Sequence, residues 1–229
     1  MKRRFSLIIF DLDGTLVDSA PDICRSLNAV LAGHGLRGVN ADAVRGALRE
    51  GQRTMIERML ERVGGSPALA DTVQKQFRDR YDRDLIIDTA PYPGVRETLA
   101  AVHGDVMQAI ASNKPGVWTR RIADALGFTA HMRSVVGGDE VSARKPDPAI
   151  LLEICRRLDV PPERTLSVGD SSIDLEAARA AGMPAALFQY GYGGAALAAA
   201  AARRAAADPP CWLVDRIPEI LPLVDETAV

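Results

Sequence analysis

Cysteine and histidine are scarce in this 229-residue chain, with three of each. Cys24, Cys155 and Cys211 form no Cys-x-x-Cys pair, and His34, His103 and His131 are scattered. That spacing speaks against a disulfide frame and against a Cys/His zinc site, and reduced thiols fit a cytoplasmic setting. An excess of one charge is also missing: 28 Lys+Arg face 30 Asp+Glu, a formal charge of −2. A nucleic-acid partner, which calls for a basic surplus, is therefore not expected. No apolar run reaches the roughly 18 residues needed to cross a bilayer, so no membrane partner is expected either. The start, Met1-Lys2-Arg3-Arg4, is basic, but the apolar stretch behind it stops at Phe10 against Asp11 and Asp13, unlike a secretory signal. No repeat of fixed period occurs. The one low-complexity piece, residues 195–207, is alanine-rich and reads as a helix, with Arg203 and Arg204 too polar for a membrane span.

What is present is an ordinary globular balance, 47% hydrophobic and 25% charged, in a chain long enough for a sizeable core. Residues 5–10 are a short apolar run that ends in Asp-Leu-Asp-Gly-Thr, the pattern of a buried strand running into a polar turn. A helix begins near Ser19, capped by Asp18 or Ser19, with Pro21 in its first turn and Gly33 or Gly35 closing it. Residues 40–87 are helical throughout: Asp42 caps a short helix with Val44 and Leu48, Met55, Met59, Leu60 and Val63 form a second stripe, and Leu69 to Leu85 a third. Ala90-Pro91-Tyr92-Pro93-Gly94 then breaks the pattern.

Beyond Gly94 the texture alternates. Helices at 95–102, 117–126, 148–158 and 172–181 precede strands at 106–111, 133–136, 165–168 and 185–188, and a last strand at 212–214 leads into a short helix near 217–223. Such alternation implies an α/β domain, a Rossmann-like parallel sheet with helices on both faces. The first strand belongs to that sheet, so an all-helical domain is inserted behind it. The expected division is a core of residues 1–15 and 91–229 and a helical cap of residues 16–90.

Ligands of open parallel sheets bind beyond the carboxyl ends of the strands. Asp11 and Asp13 follow the first strand, Ser112, Asn113 and Lys114 the second, and Gly169-Asp170 a later one, with Asp174 a helical turn on and Lys145-Pro146 opening a helix. Several carboxylates with no His or Cys among them suit a hard cation such as Mg2+. Without a cation or a lysine they would repel and raise each other's pKa. Ser112 and Lys145 offer a hydrogen bond and a positive charge to an anion, which phosphoryl transfer requires. Gly14 permits a tight turn directly after the acids.

Asp11-Leu12-Asp13-Gly14-Thr15-Leu16-Val17-Asp18-Ser19, Ala111-Ser112-Asn113-Lys114-Pro115, Lys145-Pro146-Asp147-Pro148 and Gly169-Asp170-Ser171-Ser172-Ile173-Asp174 occur in the order of the four motifs of the haloacid dehalogenase superfamily, in its phosphatase form. Together they span residues 8–174, and the helical insert with the Asn-Lys-Pro after Ser112 most resembles phosphoglycolate phosphatases. The resemblance implies a Mg2+-dependent phosphatase of a small phosphorylated metabolite, with Asp11 attacking phosphorus to form an aspartyl-phosphate and Asp13 as general acid, then base. It implies that Ser112, Asn113 and Lys145 bind the phosphoryl group. Mg2+ would sit on Asp11, the Asp13 carbonyl and Asp170, with Asp174 behind them or reached through water. Lys114 reads as a solvated side chain.

Arg49 and Arg53, between two helices of the insert, replace the small, Gly-rich turn more usual in that family. They either grip a carboxylate of the substrate or are ordinary charges at a solvated helix start. A β-phosphoglucomutase-like mutase would use the same acids, and a phospho-accepting signalling domain combines similar groups. The signalling domain, however, lacks both a helical insert and a built-in base such as Asp13. Monomer and homodimer are both compatible with the sequence.

Overall fold

The computed structural model describes residues 3–48, 51–193, 197 and 209–225. The helix expected at 195–207 lies almost wholly outside them. The chain divides into two compact units, one of Met1–Val17 with Pro91–Val229 and one of Asp18–Ala90.

The larger unit is built on a six-stranded parallel sheet of β1 (Leu7–Phe10), β4 (Met107–Ser112), β5 (Ser134–Gly137), β6 (Thr165–Gly169), β7 (Ala185–Phe188) and β8 (Cys211–Val214), in the order β5-β4-β1-β6-β7-β8. Two short strands, β2 (Val17–Asp18) and β3 (Ala90–Pro91), pair separately. All four residues of β1 are buried, as a strand covered on both faces demands. Leu7 and Ile9 point into one cluster with Ala109, Ala111, Val136, Ile150, Ile154, Leu175 and Leu187, so the period of two sends Ile8 and Phe10 to the opposite face. The helices are α5 (Val95–Val102), α6 (Gly116–Ala125), α7 (Ala149–Leu158) and α8 (Ser172–Ala180). No helix among the described residues is long and apolar enough to cross a membrane.

Two features of the sheet fix where chemistry can occur. After β5 the chain returns to the other side of β1, so the strand order reverses there, and ligand crevices form at such a switch. The register is also level: Phe10 lies opposite Ile110 of β4 and Val168 of β6. Asp11, Ser112 and Asp170, one or two residues further on, therefore emerge side by side.

The smaller unit comprises α1 (Ala20–Gly33), α2 (Ala41–Leu48), α3 (Gln52–Val63) and α4 (Ala70–Arg83), with a 3-10 turn at Pro67–Leu69. α1 packs on α2 and α4, and α3 on α2 and α4. Val44, Met55, Ile56, Leu60, Val73 and Phe77 are buried, and Phe77 stacks on Tyr81 one turn later at 5.4 Å. Asp42 does not cap α2. The N–H of Ala43 donates to Asn40 Oδ1 (2.9 Å) while Asp42 pairs with Arg45, because the helix starts two positions earlier than a cap at Asp42 implies. At the start of α1 it is Asp18 that accepts, from the N–H of Ala20 (3.3 Å).

Candidate active site

Lys145 is the centre of the site. It reaches the edge of the sheet from the loop between β5 and α7, and its side chain is only 3% exposed. Its ammonium donates to Asp11 Oδ1 (2.8 Å), Asp174 Oδ1 (2.6 Å) and the carbonyl of Ala111 (2.9 Å). An ammonium has three hydrogens, and each finds an acceptor. Burial works against the charged form, but the two carboxylates outweigh it and hold the Lys145 pKa above its ordinary value. Lys145 therefore stays a cation across the physiological range.

Asp174 is held from two directions. It stands at the third position of α8, where its Oδ2 accepts from the N–H and hydroxyl of Ser171 in a capping box. Its other oxygen is taken by Lys145. Asp11 differs: among the described residues Lys145 bonds only Oδ1, leaving Oδ2 without a protein partner. Burial first, then the negative charges of Asp174 and Asp13 against the pull of Lys145, push the Asp11 pKa up to about 7.

Asp170 is 2% exposed, and its partners are neutral donors, the hydroxyl of Thr15 (3.0 Å) on Oδ1 and the N–H of Tyr192 (2.6 Å) on Oδ2. Burial, followed by the charges of Asp174 and Asp11, raises its pKa well above the carboxylate range. A buried carboxylate without a cationic partner is costly, and a positive ion beside it removes the cost. Asp11, Asp170 and Asp174 each offer one oxygen, and these oxygens lie within 4.8 Å of one another. An all-oxygen, carboxylate-rich set fits a hard divalent ion such as Mg2+. Asp174 already has the Lys145 ammonium on one oxygen, whereas Asp170 meets only neutral donors and Lys145 leaves Oδ2 of Asp11 clear among the described residues, so Asp11 and Asp170 are its direct candidates and Asp174 stands behind Lys145.

The remaining candidate residues divide. Ser112, at the end of β4 and 2% exposed, accepts from the N–H of Lys114 (3.2 Å), and its own O–H has no protein partner among the described residues. The Asn113 side chain is engaged with Lys145: Oδ1 accepts from the N–H of Lys145 (2.9 Å) and Nδ2 donates to its carbonyl (2.8 Å). Its amide thus clamps the backbone of the central lysine. Lys114 is not solvated: its side chain is 6% exposed and its ammonium lies 2.8 Å from Asp13 Oδ1. Arg53 bonds Glu57 (2.6 Å), Asp71 and Gln74 (3.2 Å), all in the helical unit, and Arg49 lies outside the described residues.

Two participants, Tyr190 and Tyr192, lie outside the residues that the sequence singles out, and the bonds of Thr15 to Asp170 and of Lys114 to Asp13 are not read from it. The Tyr190 hydroxyl donates to the carbonyl of Thr15 (2.8 Å), and burial, then Tyr92 and Asp170, raises its pKa, so it remains a neutral donor. The signal that could have found the tyrosines was positional, since Gln189-Tyr190-Gly191-Tyr192-Gly193 follows the strand at 185–188 on the ligand-binding edge.

The family described as haloacid dehalogenase-like hydrolase matches residues 8–188. The N-acetylmuramic acid 6-phosphate phosphatase of Pseudomonas aeruginosa is 36% identical over 194 residues, covering 84% of this chain and 85% of that protein. The phosphoglycolate phosphatase of Mesorhizobium japonicum is 39% identical over 189 residues, covering 81% and 83%. A crystal structure of a predicted phosphoglycolate phosphatase from Haemophilus somnus superposes with a TM-score of 0.83 at 28% identity, covering 96% of this chain and 98% of that one. With two acids on a buried lysine and a third within 4.8 Å of them at the switch point of a parallel sheet, the chain belongs to the haloacid dehalogenase-like hydrolase family.

Proposed function

We propose that this protein is a Mg2+-dependent phosphatase of a small phosphorylated metabolite, acting through an aspartyl-phosphate on Asp11. The observation that carries the reading is the state of Asp11: one oxygen fixed by Lys145 and the other without a protein partner among the described residues, at the mouth of the β1 switch point. Oδ2 is the oxygen that attacks phosphorus. The bond from phosphorus to the ester oxygen breaks as that oxygen takes a proton from Asp13. Asp13, now ionised, removes a proton from water, which attacks the phosphorus of the aspartyl-phosphate, and inorganic phosphate leaves with the Asp11 carboxylate restored.

The phosphoryl oxygens meet Lys145 and the hydroxyl of Ser112, fixed charge and dipole where negative charge spreads. Lys114, 2.8 Å from Asp13 Oδ1, fixes where that carboxyl sits. Asp11, Asp170 and the main-chain carbonyl of Asp13 would hold Mg2+, which supplies positive charge against the transferring group.

The helical unit of residues 18–90 acts as the cap that selects substrate and excludes water. Phosphoglycolate and N-acetylmuramic acid 6-phosphate, the substrates in the relatives' names, are both phosphate esters of carboxylic acids. We infer that this chain prefers the same class. The test is phosphate release from a panel of monoesters with Mg2+, including both acids, glucose 6-phosphate and β-glucose 1-phosphate. Release fastest from the acid-bearing esters is expected. Conversion of β-glucose 1-phosphate to the 6-phosphate without phosphate release would instead establish a mutase.

A further inference from the structure

Residues 190–193, between β7 and the described part that follows, belong to none of the four motifs, yet they close around Asp170. Tyr192 donates its N–H to Asp170 Oδ2 (2.6 Å). The Tyr190 hydroxyl donates to the carbonyl of Thr15 (2.8 Å), and the Thr15 hydroxyl donates to Asp170 Oδ1 (3.0 Å). Both carboxylate oxygens are thus aimed by this segment, one directly and one through Thr15.

The packing is as tight as the hydrogen bonding. A Cβ at Gly191 would stand 2.3 Å from Asp170 Cβ and 2.4 Å from the carbonyl oxygen of Gly14. One at Gly193 would stand 1.9 Å from the Asp170 carbonyl oxygen. These are backbone and short-chain atoms with nowhere to move, so only glycine fits. The ring of Tyr190 is itself fixed, stacked on Phe188 at 4.9 Å and tilted against Tyr92 at 4.5 Å.

We propose that residues 190–193 are a positioning segment that pre-sets the Asp170 carboxylate for the divalent cation, and so set the affinity of the site for it. The inference rests on the reading of Asp11 and Asp170 as cation ligands. Partners that orient a ligand without touching the metal are worth about 10- to 100-fold in affinity. A carboxylate left to find its own rotamer must be ordered at the moment of binding, and the segment has done this in advance. Among the described residues Asp170 has no charged donor beside it, and these neutral contacts fix where its oxygens point.

The experiment is calorimetric titration of Mg2+ into the full-length wild type, Tyr190→Phe and Gly191→Ala, with no substrate present. Tyr190→Phe keeps the ring stack and removes only the hydroxyl, so it stays informative even where Gly191→Ala fails to fold. We expect the Mg2+ Kd to rise about tenfold in Tyr190→Phe and about 100-fold in Gly191→Ala. Turnover of a phosphate monoester should return toward wild type when Mg2+ is raised by the same factor, a rescue that general structural damage would not allow. Wild-type Kd in a folded variant overturns the role of the segment while leaving the cation site standing. Absence of Mg2+ binding by the wild type overturns the cation site itself, and the inference with it.

Discussion

At the scale of single residues, the site is organised by one buried ammonium between two carboxylates. Removing it should be felt in the fold as well as in the chemistry. Lys145→Met leaves Asp11 and Asp174 facing each other at the end of β1, and breaking a buried pair costs about 3–5 kcal/mol. Urea unfolding at pH 8 should show that loss, and a change below about 1 kcal/mol would mean that Lys145 does not hold the acids together. Asn113 acts one step back. Asn113→Ala removes both bonds to the Lys145 backbone and allows the lysine to shift, and displacements of about 1 Å cost up to 100-fold in rate. We expect kcat to fall between ten- and 100-fold with KM little changed. A rise in KM alone would return Asn113 to the role of phosphate contact. The sequence made Asp11, Lys145 and Asp170 visible because each sits in a short motif whose side chains carry the chemistry. The clamp by Asn113 and the pairing of Lys114 with Asp13 were not visible there, since they depend on a backbone carbonyl 32 residues away and a carboxylate 101 residues away.

At the scale of elements, the helical unit has its own buried acid. Asp22, in the first turn of α1 and fully buried, accepts from the N–H groups of Ile87 (2.9 Å), Asp88 (2.9 Å) and Thr89 (2.9 Å), from the Thr89 hydroxyl (2.7 Å), and pairs with Arg25. It fastens the returning chain to the helix that begins the unit. Burial alone would raise its pKa, but the Thr89 hydroxyl and the three N–H groups overcome that and lower it. A carboxylate with a depressed folded pKa stabilises the fold above its unfolded pKa of about 4 and loses that contribution as pH falls through the folded value. Asp22→Asn should therefore cost about 3 kcal/mol at pH 7, since hydrogen bonds to a charged group are the strong ones, and the gap to wild type should narrow below pH 4. Thermal melts across pH 3–7 decide this, and a gap that stays constant with pH would show that the charge of Asp22 does not matter. The elements themselves were readable because hydrophobic period and turn residues are local. Helix ends were less so: Asn40 caps α2 where Asp42 looked the better candidate, and Arg53 is held by Asp71 and Gln74 of a neighbouring helix, which spacing within one helix does not show.

At the scale of the whole molecule, a level sheet register gathers acids from distant parts of the chain, and their mutual repulsion is what a cation relieves. Asp11 is pushed up to about 7 and Asp170 well above its ordinary value. In the metal-free protein the fold therefore binds more protons than the unfolded chain between about pH 4 and 7, so its stability declines as pH rises through that window. Mg2+ needs the unprotonated carboxylates, so its affinity should climb from pH 5.5 through about 7.5, and the rise in Tm it confers should grow in parallel. An affinity flat across that range would mean that Asp11 and Asp170 do not hold the ion. The architecture was legible in the sequence because alternation of strand and helix admits few parallel-sheet solutions. The segment at residues 190–193 was less so, because its hold on Asp170 runs through a backbone N–H, the missing side chains of two glycines and a Tyr190 hydroxyl bonded to a carbonyl 175 residues away. The central claim, a covalent aspartyl-phosphate on Asp11, is tested most directly by acid-quenching the enzyme during turnover of an aryl phosphate and mapping the phosphoryl group by mass spectrometry. The account predicts phosphorylation at Asp11 alone, accumulating in Asp13→Asn where the base for hydrolysis is gone, and an inert Asp11→Asn. Turnover by Asp11→Asn, or an Asp13→Asn enzyme that turns over without ever carrying phosphate on Asp11, would contradict it.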